Sequence, residues 1–118
     1  MGRRSSTDAG STLTPLMFQI LVALSDEDRH GYAIMQEIEE RTRGAFHIGA
    51  GTLYRAIKQL VDAGLIAELE APDGAHRQRR TYQLTPEGRE RAAADARVFR
   101  DIARWAEEAR LDESGARS

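Results

Sequence analysis

Residues 50–66 read Ala50-Gly51-Thr52-Leu53-Tyr54-Arg55-Ala56-Ile57-Lys58-Gln59-Leu60-Val61-Asp62-Ala63-Gly64-Leu65-Ile66. Leu53, Ile57, Leu60 and Val61 recur at i, i+4, i+7 and i+8, which puts them on one face of a helix running from about Ala50 to Ala63. Gly64 follows, at a place where helices commonly end on a left-handed residue. The opposite side carries Thr52, Arg55, Lys58 and Gln59, with Tyr54 at the border and only Asp62 opposing the cations. An ordinary solvated helix has a similar outer face, so the neighbouring chain decides what this one is for.

Immediately downstream, Leu65–Glu70 has the partial alternation of a strand, Pro72-Asp73-Gly74 is a turn, and Arg79–Leu84 is a returning strand. The loop and second strand of this hairpin carry His76, Arg77, Arg79 and Arg80. Upstream, Thr14-Pro15 has the cap-then-proline form of a helix start, followed by Met17, Ile20, Leu21 and Leu24 at helical spacing. A second helix spans about His30 to Arg41. Tyr32, Met35, Ile34 and Ile38 form its apolar stripe, Glu37, Glu39 and Glu40 its wet side, and Gly44 breaks the pattern.

Thr85-Pro86-Glu87 repeats the cap-then-proline start and opens a long last helix, to about Leu111. Val98, Ile102, Trp105 and Ala109 recur there at heptad-like spacing, flanked by Phe99 and Ala106. Burying one large apolar side chain contributes roughly 1.5–3 kcal/mol, so an apolar seam on a projecting helix predicts a homodimer. Residues 1–12, with Arg3 and Arg4, and residues 112–118 are polar and aperiodic, and read as a disordered arm and tail.

Three helices followed by a two-stranded hairpin is the order of a winged helix-turn-helix. The expected fold is therefore mainly α with a small β-hairpin: a winged helix-turn-helix over residues 13–84 and a dimerisation helix over 85–111. A helix fits the DNA major groove and its outer side chains meet base edges. Arg55 suits guanine, Gln59 suits adenine, Thr52 suits either, and Lys58 and Tyr54 suit phosphate. The basic wing, with Arg77, Arg79 and Arg80, suits the adjoining backbone or the minor groove. The alternative is a winged helix that contacts proteins without binding DNA, but a protein-docking face would be apolar where this one is polar and basic.

Composition sets bounds on other readings. The 118 residues, 41% of them hydrophobic, suffice for one modest core plus a helical extension. The formal net charge of −2 is unevenly spread, with acid at Asp26-Glu27-Asp28 and base around Arg55, Lys58 and Arg77–Arg80. There is no cysteine, which excludes disulfides and thiolate metal sites. No run approaches the ~20 apolar residues of a membrane span, and nothing resembles a secretory leader, so a cytoplasmic protein without a membrane partner is expected. His30, His47 and His76 are far apart and no metal-ligand spacing occurs. Gly49-Ala50-Gly51 does not continue as a phosphate loop, and no serine sits in a nucleophile elbow. Neither an enzyme nor a cofactor is expected.

Four segments taken together resemble the PadR family of transcription regulators: His30–Ile34, Gly51–Ile57, Leu60–Ile66 and Arg80–Gly88. The resemblance covers roughly residues 13–111, and the single last helix is similar to the small subfamily. It implies a homodimer on an inverted-repeat operator. It further implies repression of nearby efflux or detoxification genes, relieved by a small aromatic or cationic effector. By position, Tyr32 and Tyr54 match tyrosines common at the DNA-facing surface, Arg55 and Lys58 match variable reading-helix positions, and Arg79 and Arg80 match the basic wing strand. Phe99 and Trp105 are candidates for stacking on a planar ligand, with dimer core the preferred reading of both. Gly49-Ala50-Gly51 departs from the family, which often caps this helix with serine or proline.

Overall fold

The computed structural model of the chain describes residues 12–70 and 80–111. Helix α1 spans Pro15–Ala23, and Thr14 caps it as its sequence predicts, the hydroxyl accepting the Met17 amide at 3.1 Å. Strand β1 (Arg29–His30) leads directly into α2 (Gly31–Arg41), and α3 (Ala50–Asp62) follows a short loop. Strands β2 (Ile66–Glu68) and β3 (Thr81–Leu84) precede the long helix α4 (Pro86–Glu108).

Both helices of the helix-turn-helix end in the same hydrogen-bonded form. After α3, the Gly64 amide donates to Val61 and the Leu65 amide to Leu60, each at 3.0 Å, with Gly64 left-handed at φ 80°. After α2, the Arg43 amide donates to Glu40 and the Gly44 amide to Glu39. The left-handed cap position there falls on Arg43, at φ 54°, and Gly44 follows at φ 83°. Gly44 thus marks the end of the helix as expected, but an arginine bears the strained conformation.

The hairpin forms as β2 and β3, antiparallel, with Ile66 opposite Leu84 and Glu68 opposite Tyr82. It is shorter than its sequence pattern, although the Leu69 amide still donates to the Thr81 carbonyl at 2.8 Å. The sequence reading missed β1, which pairs with the other side of β3 and gives the order β1-β3-β2. Arg29 fixes this strand: its Nε donates to the Ala23 carbonyl at 2.6 Å, and its guanidinium lies 3.2 Å from Glu27 and 3.4 Å from Asp26. The acidic run after α1 is therefore in part the counter-charge of a half-buried arginine.

The core joins Ile20, Leu21 and Leu24 to Ile34 and Ile38 of α2, to Leu53, Ile57 and Leu60 of α3, and to Ile66 and Tyr82 of the sheet. Val61, expected in the buried stripe, is only half-buried at its edge. Thr85 fastens the start of α4 to the turn after α3. Its hydroxyl accepts the Gly88 amide at 3.0 Å and donates to the Gly64 carbonyl at 2.8 Å. A β-carbon on Gly88 would collide with the Leu65 carbonyl oxygen, so only glycine permits this approach.

Residues Leu13–Ala92 form one compact unit, which takes in α4 from Pro86 to Ala92. The remainder of α4 belongs to a second unit. The helix ends at Glu108, slightly before the expected Leu111.

Candidate nucleic-acid interface

Helix α3 is seated by Leu53, Tyr54, Ala56, Ile57 and Leu60, all buried. That leaves Thr52, Arg55, Lys58 and Gln59 exposed. At 100° per residue Arg55 is central on the outer face, with Thr52 and Gln59 to one side and Lys58 to the other. Arg55, Thr52 and Gln59 make no side-chain hydrogen bond or ion pair among the described residues. Lys58 donates to Asp62, one turn on, at 3.3 Å. The outer face therefore offers one uncommitted guanidinium, one amide and one hydroxyl, the groups that read base edges.

Tyr54 is a correction. Expected at the border of the outer face, it is 8% exposed. Its ring fills the space above Gly31, where a β-carbon would clash with the phenol. The absence of a side chain at Gly31 creates the slot, a signal present in His30-Gly31-Tyr32 that helical spacing alone does not convey. Tyr32 on the first turn of α2 is 50% exposed, as an outward role requires.

On the wing, Arg80 Nη1 lies 3.5 Å from Glu68 across the hairpin. Arg77, Arg79, His76 and the Pro72-Asp73-Gly74 turn lie outside the described residues, as do Arg3 and Arg4 of the arm. A cleft of about 280 Å³ separates α3 from the sheet, floored by Tyr54, Ile57 and Tyr82 and edged by Lys58, Asp62, Glu68 and Arg80. At the start of α3, Gly49 caps without any side-chain bond, and the space around Gly49 and Gly51 is open. Among the described residues the amides of that first turn have no side-chain acceptor, a setting that suits a phosphate oxygen.

His30 Nδ1 lies 3.1 Å from the Thr81 hydroxyl, and His47 Nδ1 lies 3.1 Å from Glu39. No three His, Asp or Glu side chains among the described residues are grouped to hold a metal ion. Nor is any described helix long and apolar enough to cross a membrane. On α4, Val98, Ile102 and Trp105 are 38%, 48% and 71% exposed, and Phe99 is half-buried. Ala109 lies just past the helix, its amide still donating to the Trp105 carbonyl at 2.9 Å.

The profile of the "Transcriptional regulator PadR-like family" matches residues 20–94, which span α2, α3, the whole sheet and the start of α4. The chain belongs to the PadR-like family. PadR-like proteins are transcriptional regulators and not enzymes. The transcriptional regulator Rv3488 of Mycobacterium tuberculosis is 35% identical over 86 residues, covering 72% of this chain and 76% of its own. A PadR family transcription regulator from Clostridium difficile matches with a TM-score of 0.65 at 26% identity, over 80% of this chain and 97% of that one. Bacillus subtilis PadR, solved in complex with operator DNA, shares the fold with a TM-score of 0.59 at 23% identity. It is a longer protein: the match covers 69% of this chain and 46% of that one. The mainly helical fold with its small three-stranded sheet is thus the PadR winged helix.

Proposed function

We propose that this PadR-like regulator binds an inverted-repeat operator as a homodimer and represses nearby genes of efflux or detoxification type. A small aromatic or cationic effector releases it. The single observation that carries DNA binding is the outer face of α3, where Thr52, Arg55 and Gln59 are exposed and without a hydrogen-bond or ion-pair partner among the described residues, on a helix whose inner face is seated in the core. Arg80 extends the cationic surface onto the wing. The operator complex of Bacillus subtilis PadR supports the same use of the fold here. A protein-docking winged helix would present apolar groups at these positions.

The homodimer reading rests on Val98, Ile102 and Trp105, large apolar groups exposed along one helix face. A two-fold dimer would set its α3 helices about 34 Å apart, one turn of DNA. Phe99 and Trp105 are the candidate effector contacts, with dimer core the preferred role for both.

The test is a fluorescence-anisotropy titration against the DNA upstream of the protein's own gene, with random DNA of equal length as control, at two salt concentrations. Preference for the upstream DNA with affinity that falls as salt rises supports the reading. Equal, weak binding to both favours an operator elsewhere or a protein partner, which selection from a random-sequence pool separates.

A further inference from the structure

The first turn of α4 departs, at three residues, from what that helix needs for its own stability. Thr85 caps the helix by accepting the Gly88 amide at 3.0 Å, a role that serine or aspartate fills equally well. Its hydroxyl also donates to the Gly64 carbonyl, just past α3, at 2.8 Å, and its amide donates to the Leu65 carbonyl at 3.2 Å. Capping requires neither of these bonds. Gly88 is a poor helix residue, yet a β-carbon there would strike the Leu65 carbonyl oxygen. Arg89 closes the turn, where the helix dipole disfavours a cation. Its guanidinium donates to the Ser25 carbonyl, just past α1, at 3.0 Å.

All of these contacts lie within the unit Leu13–Ala92. They tie one helical turn to the ends of two other helices, α1 and α3. A helix held at a single point can swing about it, and attachment to a second element removes that freedom. The direction in which α4 leaves this unit is therefore set against α3 by bonds of defined length and by one close backbone approach.

We propose that Thr85, Gly88 and Arg89 are positioning residues that set the half-site spacing this protein accepts on DNA. They fix the departure of α4 against α3, and a dimer joined through Val98, Ile102 and Trp105 turns that direction into the distance between its two α3 helices. One base pair added between half-sites moves one of them by roughly 3.4 Å and rotates it by about 34°. A stiff junction rejects that change and a loosened one follows it. Recognition within each half-site, by Thr52, Arg55 and Gln59, is a separate property of the outer face of α3. This proposal rests on the DNA-binding homodimer reading above.

Thr85→Val removes the hydroxyl at nearly constant shape, Arg89→Met removes a surface bond, and Thr85→Ser keeps both hydroxyl bonds. These variants and the Thr85→Val, Arg89→Met double variant are titrated by fluorescence anisotropy. The duplexes are an inverted repeat selected by the wild-type protein from a random pool, and the same repeat with its spacer changed by one or two base pairs. The readout is the ratio of affinities between spacings, because a loss of folded protein lowers binding to every duplex alike. Wild type and Thr85→Ser should lose about 10-fold for each base pair of change, and the double variant less than about 3-fold. Matching spacing profiles in wild type and double variant would overturn the proposal. So would a flattened profile in Thr85→Ser, since the hydroxyl would then not be the cause. A flattened profile accompanied by a monomeric sedimentation profile would overturn it too, because loss of the dimer would explain the change. If the wild-type protein selects no inverted repeat, the homodimer reading itself fails and takes this proposal with it. A selected repeat that wild type binds equally at every spacing fails the proposal alone.

Discussion

The phenol of Tyr54 lies against the Cα of Gly31, in space that a β-carbon on that residue would occupy. Helix α3 and the first turn of α2 are thus keyed to one another at this contact. Replacing Gly31 by alanine forces the ring aside in a packed core, and overpacking of this kind costs roughly 1–3 kcal/mol. Urea denaturation should show that loss for Gly31→Ala. The Gly31→Ala, Tyr54→Phe double variant should lose less than the two single variants summed, because the phenolic oxygen is the nearest obstacle. Additive losses would mean that the two residues do not share a contact.

Arg43 holds a left-handed conformation at the end of α2 that glycine adopts freely. Its amide donates to the Glu40 carbonyl, a backbone interaction that survives substitution. Arg43→Gly should therefore stabilise the protein by about 0.5–1 kcal/mol, the strain relieved less the added flexibility of the unfolded chain. A melting temperature that falls would show that the arginine side chain contributes more than its backbone costs.

Arg55→Ala should leave the fold intact, because the side chain is exposed and makes no contact with the described residues that holds the core. Specific DNA binding should weaken by about 1–3 kcal/mol if Arg55 reads a base, with little change on random DNA. Equal losses on both would reassign Arg55 to a phosphate.

Trp105 is the most exposed large apolar side chain on α4. Trp105→Asp places a charge where the dimer reading requires an apolar contact, and burying an unpaired charge is costly. Sedimentation velocity should show the variant shifted toward monomer at concentrations where the wild type is dimeric. An unchanged profile would remove Trp105 from the interface.

Much of the fold is legible along the chain because its signals are local. Thr14-Pro15 and Gly64 mark helix ends through their own hydrogen bonds and backbone angles, and Leu53, Ile57 and Leu60 declare the buried side of α3 by spacing. Strand β1 is not legible in this way. Two residues cannot show alternation, and what makes Arg29-His30 a strand is a partner more than fifty positions away, His30 facing Thr81. Tyr54 fails for a related reason. Its angle on the helical wheel is ambiguous, and the residue that resolves it is a glycine on another helix. The pairing of Lys58 with Asp62 could be read from their spacing, whereas that of Arg80 with Glu68 depends on hairpin register.

The placement of β3 between its two neighbours also bears on what the sheet does in a crowded solution. Among the described residues β3 is the strand paired on both sides, and the outer edges belong to β1, of two residues, and β2, of three. Edges this short offer few unpaired amides and carbonyls for another chain to extend. The described part of the sheet is in this way kept from recruiting the sheets of other molecules into a continuous ribbon.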